Sequence, residues 1–286
     1  MAFEARLDCV PIDRSKKNEL DALLPIEIGM FGGSGNYDPT MIEDPIELKV
    51  MTPFGAPSDN FIVGRVKGRT FAFLARHGRN HTIPPHMINY RANMWGMKAL
   101  GVKRLISPAA CGSLQPARIK LGEFVFADQL FDRTFGVRKD TFFEGGTVAH
   151  VPMAEPYCPE LRRVGFETAQ ALGYKAHEKG TYVCINGPRF STAAESMFFN
   201  KMGWDVIGMT SYPEITLARE AGICLVNISM PTDYDVHGEE HVTHEMVLKT
   251  MASNIDRVRK LTFEMIDRIP REASCTCQTA MKNGLF

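Results

Sequence analysis

The chain has 286 residues and 44% of them are hydrophobic, so it can bury a sizeable core as one large domain or two small ones. Lysine plus arginine number 33 and aspartate plus glutamate also number 33, which gives a formal net charge of zero. A protein without a basic face has no electrostatic reason to bind nucleic acid or an anionic membrane, and we expect neither as a partner.

The first 25 residues have no long apolar core and no small-residue cleavage pattern, so we interpret residues 1–25 as an N-terminal extension and not as a signal peptide. No apolar run approaches the roughly 20 residues of a transmembrane helix. Most of the cysteines are scattered, and several lie in apolar runs where they are expected to be buried core residues. These features together predict a cytoplasmic protein.

Short β-rich runs alternate with helical patterns along the rest of the chain. Strands are predicted over 26–33, 60–78 as a hairpin around Lys67-Gly68, 102–113, 122–132, 180–188, 205–210 and 222–230. Helices are predicted over 88–101, 158–173, 191–203, 214–222 and 242–269. This alternation predicts an α/β fold, with one sheet covered on both faces by helices and a flexible C-terminal tail.

Polar or glycine-rich signals fall at the ends of six predicted strands: "GGSG", "RHGRNH", "AACGS", "NGPRFS", "MTSYPE" and "TDYD". Ligands of α/β sheets bind beyond the carboxyl ends of the strands, so the six segments predict one composite site.

An anion site is predicted from two of these segments. The glycines of "GGSG" (32–35) let backbone N–H groups approach an oxyanion, and Ser34 adds a hydroxyl. Arg76 and His77 follow an apolar strand with donors that suit phosphate, and the hydroxyl of Thr210 adds to the set. "GGSG" alone is equally typical of a tight turn, and it matches neither a Walker loop nor a dinucleotide fingerprint.

The segment "TDYD" places Asp233 and Asp235 two residues apart, on the same side of an extended chain. One carboxylic acid can donate to a ring nitrogen of a purine, while a second carboxylate accepts from an exocyclic amine. The alternative is a turn that opens the last helix.

Two further groups of metal-ligating residue types need an interpretation. The histidines His237, His241 and His244 lack the H-E-x-x-H order, so no metal is expected there. Cys275 and Cys277 form a C-x-C pair in the polar tail, which is typical of a strained disulfide, a clip for a soft metal or two exposed thiols.

Eight motifs, in order along the chain, resemble the methylthioadenosine phosphorylases of the trimeric purine nucleoside phosphorylase family. They are "GGSG…YDP", "TPFGAPSD", "LARHGRNHTIPPHMINYRANMWGMKALG", "AACGSL", "HVPMAEPYC", "GPRFSTAAES", "GMTSYPEITLAREAGIC" and "TDYD". The resemblance implies a single α/β domain with a mixed twisted sheet over residues 26–270, followed by a Cys-x-Cys tail over 271–286. It also implies a homotrimer or a dimer of trimers that uses inorganic phosphate as co-substrate, with no metal or organic cofactor.

The resemblance also assigns residues by position. Those implied to bind phosphate are Ser34, Arg76, His77, Ala109, Ala110 and Thr210. Those implied to bind the base are Cys111, Gly112, Phe190, Asp233 and Asp235, with Asp233 as the catalytic acid. Those implied to line the ribose and the 5′ pocket are Met209, His244, Val247 and Leu248, together with His150 and Met281 from a neighbouring subunit.

The implied reaction is phosphorolysis of S-methyl-5′-thioadenosine to adenine and 5-methylthioribose 1-phosphate. Asp233, Asp235 and Ser191 together favour a 6-aminopurine. Alanine at 109 and asparagine at 186 depart from the family pattern, and His244 stands where the methylthio enzymes carry an apolar residue. A phosphorylase for adenosine, 5′-deoxyadenosine or another nucleoside with a polar 5′ group is therefore the alternative, and a non-catalytic nucleoside-binding protein is a further one.

Overall fold

A computed structural model describes residues 9–33, 41–238, 244–282 and 284, without the side chains at 244, 246–249, 251 and 253. The strands are β1 (Cys9–Pro11), β2 (Ile28–Gly32), β3 (Glu43–Val50), β4 (Phe61–Val66), β5 (Arg69–Ala75), β6 (Arg104–Ser113), β7 (Phe124–Phe126), β8 (Gln129–Arg133), β9 (Ala176–His177), β10 (Thr181–Ile185), β11 (Val206–Gly208) and β12 (Cys224–Asp233). The helices are α1 (Lys17–Leu23), α2 (Tyr90–Ala99), α3 (Pro159–Ala171), α4 (Ala193–Lys201), α5 (Ser211–Glu220) and α6 (His244–Arg268).

Within the described residues the strands form one mixed, twisted sheet with helices packed against it. The main path runs β1-β3-β4-β5-β2-β6-β11-β10-β8, and β12 pairs with both β6 and β7. The pairs β2–β5, β2–β6, β6–β12 and β8–β10 are parallel, whereas β3–β4, β4–β5 and β6–β11 are antiparallel. The predicted single α/β domain is confirmed.

Local sequence explains why several elements begin and end where they do. The hairpin β4–β5 turns at Lys67 and Gly68, both at positive φ, which is the backbone that a two-residue hairpin turn needs. The side chain of Asn89 caps α2 by accepting from the backbone N–H of Ala92, and Gly101 follows that helix at a φ of 94°.

Three elements near the N-terminus were not predicted. Strand β3 carries charged residues and a proline, so it lacks the apolar run by which the other strands were found. Strand β1 adds to the edge of β3, and α1 buries Leu20 and Leu23 in the main core. The segment interpreted as an extension therefore contributes both a strand and part of the core. The strand predicted over 122–132 is split into β7 and β8.

The tail was predicted to be flexible, and this is wrong; of the three alternatives for Cys275 and Cys277, that of two exposed thiols is wrong as well. Cys277 is 2% exposed and Cys275 is partly buried. The backbone N–H and hydroxyl of Ser274 donate to the Glu160 carboxylate at 3.2 and 2.6 Å, which fastens the start of the tail to α3. The tail is polar in sequence but packs against the domain because its cysteines meet the buried cysteines of α3 and β12.

The parallel pair β6–β12 runs through the core and carries functional side chains at its carboxyl end. Its register shifts between Pro231 and Asp233, so that Asp233 pairs with Gly112. Such an irregularity re-aims the side chains next to it. In the part of the chain that is described, no helix is both long enough and apolar enough to cross a membrane.

Candidate active site

A cavity of about 560 Å³ lies at the carboxyl ends of β5, β6 and β12 and is a suitable size for a nucleoside with phosphate. The sequence-predicted residues that line it are Arg76, His77, Ala109, Ala110, Cys111, Gly112, Phe190, Met209, Thr210, Asp233 and Asp235. The structure therefore brings these residues from separate strand ends to one cavity, and their functional roles stay predictions.

Asp233 is the last residue of β12 and is only 7% exposed. Its Oδ1 accepts from the backbone N–H of Asp235 at 2.9 Å, and its Oδ2 accepts from the hydroxyl of Thr232 at 2.9 Å. Burial raises the pKa of the Asp233 carboxyl, because the effect of desolvation outweighs these two donors. A carboxyl with a raised pKa is suited to hold and deliver a proton inside the cavity.

Asp235 lies beside it with a different set of contacts. Its Oδ1 accepts from the hydroxyl of Ser191 at 3.1 Å, while its Oδ2 is buried and has no hydrogen-bond partner among the described residues. The backbone of Asp235 has a φ of 51°, a left-handed conformation that costs free energy for a residue other than glycine. A strained residue with a buried, unpaired acceptor in a cavity wall is an arrangement that a ligand donor would satisfy.

Gly112 gives the two carboxylates their space. A Cβ at this position would lie 2.7 Å from Oδ1 of Asp233 and 3.3 Å from Cβ of Asp235. Any larger residue would push Asp233 out of place, so glycine is required here by contact and not by backbone conformation.

The guanidinium of Arg76 is 1% exposed and is held on three sides. Its Nε donates to Glu214 at 2.5 Å, its Nη2 to Ser107 at 2.6 Å and its Nη1 to the Pro108 carbonyl at 3.2 Å. Glu214 balances the charge of Arg76. Arg76 therefore presents oriented N–H donors to the cavity but adds little net positive charge. A Cβ at Gly33 would lie 3.3 Å from Nη1, so glycine there keeps that donor open beside the loop.

His77 is neutral in the ordinary pH range. Burial and the adjacent Arg76 lower the pKa of His77 from 6.5 to about 3. Its Nδ1 lies 2.8 Å from the carbonyl oxygen of Ile83, which can only accept, so Nδ1 carries the hydrogen. Nε2 of the neutral ring is then left as an acceptor, and the predicted contact of His77 with phosphate stays a prediction.

Other residues that line the cavity are apolar. Phe190 is 43% exposed and stands at the cavity rim, while Met209 lies deeper and packs against Gly187. Burial raises the pKa of the Cys111 thiol far above its ordinary value, so this side chain is a neutral, small wall residue. Such a surface is suited to the faces of a base and of a sugar.

The structure does not bring every predicted residue to the cavity. Ser34 lies outside the described residues, as do the side chains of His244, Val247 and Leu248 and the whole of His241. His150 and Met281 are described and do not line the cavity. The backbone N–H of His150 donates to Gly284 at 2.7 Å, so these two predicted neighbour-reaching segments pack against each other.

His237 follows Asp235 closely and is only partly exposed, and its Nε2 is buried without a hydrogen-bond partner in the described part of the chain.

Several lining residues were missed by the sequence reasoning. They are Gly33, His81, Thr82, Ile83, Pro84, Pro85, Ile185, Pro188, Ser191, Ile207, Gly208 and Thr232. Gly33, His81, Pro188, Ser191 and Thr232 belong to the strand-end segments quoted above, but no individual role was assigned to them apart from the bearing of Ser191 on the choice of base. The segment 81–85 lies within the motif that begins "LARHGRNH", and the His81 ring stacks on the His77 ring with centroids 4.4 Å apart, so its place in that motif is the signal that could have found it.

The sequence profile of the phosphorylase superfamily matches residues 27–267 of this chain. Among characterised proteins, the chain is 50% identical to an S-methyl-5′-thioadenosine phosphorylase of Thermofilum pendens over 261 residues, covering 91% of this chain and 99% of the relative. It is 49% identical to the enzyme of the same name from Saccharolobus solfataricus, covering 90% and 96%.

Solved structures are similar as well. A methylthioadenosine phosphorylase from Schistosoma mansoni in complex with adenine superposes with a TM-score of 0.84 at 37% identity, over 90% of this chain and 96% of that one. A mutant described as adenosine/methylthioadenosine phosphorylase from the same organism, in complex with methylthioadenosine, gives a TM-score of 0.83 at 36% identity, over 90% and 96% of the two chains. A methylthioadenosine phosphorylase from an antarctic soil metagenomic library gives a TM-score of 0.85 at 38% identity, covering 91% and 92%.

Proposed function

The chain belongs to the phosphorylase superfamily, and we propose that it catalyses the phosphorolysis of S-methyl-5′-thioadenosine to adenine and 5-methylthioribose 1-phosphate. The observation that carries this proposal is the carboxylate pair. Asp233 has a raised pKa, and Asp235 has a buried acceptor without a partner among the described residues, in a cavity that Arg76 also lines.

The adenine ring is held by the carboxylate pair. The protonated carboxyl of Asp233 donates to N7, and Oδ2 of Asp235 accepts from the exocyclic 6-amino group. An amine satisfies that buried acceptor, whereas the oxygen of a 6-oxopurine would face it and leave both unpaired. The hydroxyl of Ser191 keeps Asp235 in place through its bond to Oδ1. The site therefore selects adenine through two groups of opposite hydrogen-bonding character.

The bond between C1′ and N9 breaks as negative charge develops on the purine and positive charge on the ribose. Proton transfer from Asp233 to N7 stabilises the leaving adenine, which departs as the neutral base. A phosphate oxygen then forms the new bond to C1′. Asp233 regains a proton from solvent after the products leave, which restores the protonated carboxyl for the next reaction.

Phosphate binds at the end of the cavity near Arg76, with backbone donors of the 109–110 segment and the hydroxyl of Thr210 beside it. Ser34 is assigned to the same group from the sequence. Neutral His77 offers Nε2 as an acceptor, which suits the P–OH hydrogen of hydrogen phosphate. Two kinds of partner are thus present: donors for the charged oxygens and one acceptor for the protonated oxygen.

The enzyme acts in the cytoplasm and assembles as a trimer or a dimer of trimers. Exposed apolar side chains at Phe135 and Val137 are consistent with a subunit contact. The family resemblance assigns His150 and Met281 to the 5′ pocket of a neighbour, and neither lines the cavity of its own chain. Light scattering after size-exclusion chromatography tests the assembly directly, and a mass equal to one chain would contradict it.

The proposed function is tested by adenine release from methylthioadenosine with phosphate supplied or withheld. We expect release only with phosphate, and loss of this activity in the Asp233→Asn variant. Release at the same rate without phosphate would identify a hydrolase, and the absence of release under both conditions would contradict the proposed activity on methylthioadenosine.

A second substrate is favoured by one observation. A relative that shares this fold at 36% identity is named adenosine/methylthioadenosine phosphorylase, and His244 stands at the predicted 5′ position of this chain. Adenosine and 5′-deoxyadenosine differ from methylthioadenosine only in the 5′ substituent, so a panel of the three at saturating phosphate measures that pocket alone. A kcat/KM for adenosine above that for methylthioadenosine would replace the proposed substrate.

A further inference from the structure

Four cysteines meet away from the cavity and form what we call the thiol cluster: Cys158, Cys224, Cys275 and Cys277. Their Sγ atoms all lie within 4.8 Å of one another. Cys275 Sγ lies 3.6 Å from the Sγ of Cys158 and 3.4 Å from that of Cys224. The four residues come from three places in the fold: the N-cap of α3, the first position of β12 and the tail.

These separations match a set of ligands around one ion. Four thiolates at about 2.3 Å from a tetrahedral zinc ion stand about 3.8 Å from one another, whereas bonded sulfurs stand about 2.0 Å apart. All four cysteines are free, and three of them are buried. We propose that the thiol cluster is a closed structural site for a thiophilic divalent cation, Zn²⁺, which fastens the tail to the domain.

The surroundings of the thiol cluster suit the charge of such a site. A divalent ion with four thiolates carries a net charge of −2, and Nη1 of Arg104 lies 3.2 Å from the Sγ of Cys224. Arg104 in turn pairs with Glu160 at 2.7 Å, and Glu160 accepts from Ser274 at the start of the tail.

Binding involves no change of oxidation state. Four thiols lose four protons to solvent, and four sulfur–metal bonds form in their place. The site is structural and not catalytic, because Cys224 begins the ten-residue strand that ends at Asp233, about 30 Å away along the chain. The expected consequence is a tail whose attachment, and whose resistance to heat, depends on the metal.

The test measures metal content on the full-length chain purified with a thiol reductant and without chelator. We expect one zinc per chain by mass spectrometry of the dissolved metal, released when a mercurial titrates the thiols. The Cys275→Ser/Cys277→Ser double variant should lose the metal, whereas the control Cys9→Ser, which also removes a thiol but lies outside the cluster, should retain it.

A second measurement does not depend on any variant. Native enzyme stripped by a strong chelator and reloaded with Co²⁺ should show the visible bands of cobalt in tetrahedral sulfur coordination, and its Tm should fall on stripping and recover on reloading. Zinc at the level of the double variant together with no cobalt bands would overturn the proposal. Pairing of the four cysteines as two disulfides, in enzyme purified under the same reducing conditions, would overturn it equally.

Discussion

The Asp233→Asn substitution removes proton transfer to the base and keeps the other contacts of this side chain. Oδ1 keeps its bond from the backbone N–H of Asp235, and the new amide can donate to Thr232, which in turn reaches the Cys111 carbonyl at 3.2 Å. The variant should therefore fold normally. Its amide can still donate a hydrogen bond to N7 but cannot transfer a proton.

The expected loss follows from that single difference. A positioned acid contributes about 10²- to 10⁴-fold to rate, which is about 2.7–5.4 kcal/mol of transition-state stabilisation. We expect the lower end for Asp233→Asn, because the hydrogen bond is retained. The kcat for methylthioadenosine should fall about a hundredfold while the KM for phosphate stays within about twofold, since Arg76 follows β5, which β2 and β6 separate from the β12 strand of Asp233. Activity toward a 6-oxopurine nucleoside should rise relative to that toward methylthioadenosine.

The pH dependence carries a sign that can be checked. The pKa of Asp233 is raised in the folded chain, so between its ordinary value and the raised value the folded state binds more protons than the unfolded state. The free energy of unfolding of the parent therefore falls as pH rises through this window. The variant lacks this titration, so its Tm relative to that of the parent at the same pH should increase as the pH rises. The rate of the parent should fall as pH rises through the raised pKa, and this limb should be missing from the variant.

The assay is initial-rate adenine release at varied pH, with thermal unfolding followed in the same buffers. Asp128→Asn is the matched control, because Asp128 also accepts from a backbone N–H, that of Gly180 at 2.9 Å, but does not line the cavity. Unchanged kinetics for Asp233→Asn on both classes of base, or an equal loss in the control, would refute the assignment.

Three other substitutions test the remaining parts of the site. Arg76→Lys keeps a positive charge against Glu214 but loses the planar, forked donor of the guanidinium. In phosphate titrations the KM for phosphate should rise about tenfold or more, while the KM for nucleoside changes little. An unaltered KM for phosphate would mean that the anion binds elsewhere. Gly112→Ala puts a Cβ 2.7 Å from the Asp233 carboxylate. The kcat should therefore fall about ten- to a hundredfold, while the KM for phosphate is unchanged. A kcat equal to that of the parent would mean that the position of this carboxylate does not affect the rate. His244→Val should shift the methylthioadenosine-to-adenosine ratio of kcat/KM by about ten- to a hundredfold toward methylthioadenosine, and a constant ratio would show that this side chain does not contact the 5′ group.

The sequence predicted the sheet and the helices where apolar periodicity was strong. Strands β2, β4, β5 and β6 and helix α3 lie within the predicted segments. Strand β3 was missed because it lacks the continuous apolar run by which the other strands were found. Its residues 46–50 do alternate between apolar and polar, and Ile46, Leu48 and Val50 are buried in the core, so that short alternation is the signal that could have found it.

The sequence predicts those site residues that directly follow a strand, because the carboxyl ends of neighbouring strands meet at one edge of the sheet. Asp233, Asp235 and Arg76 could be found because each follows an apolar run. The partner of Arg76 could not, since Glu214 lies 138 residues away and only the fold brings it to 2.5 Å. The thiol cluster was missed for the same reason: Cys158 and Cys224 have the sequence context of core residues, and the tail reaches them only in three dimensions.

Whether the ribose leaves the cavity bearing phosphate is tested most directly by identifying the sugar product. Phosphorus NMR of a reaction containing the enzyme, methylthioadenosine and inorganic phosphate should show a sugar 1-phosphate resonance that grows in a one-to-one ratio with adenine as inorganic phosphate declines. Adenine accompanied by free 5-methylthioribose, with the inorganic phosphate signal unchanged, would contradict phosphorolysis and with it the roles proposed for the Arg76 end of the cavity.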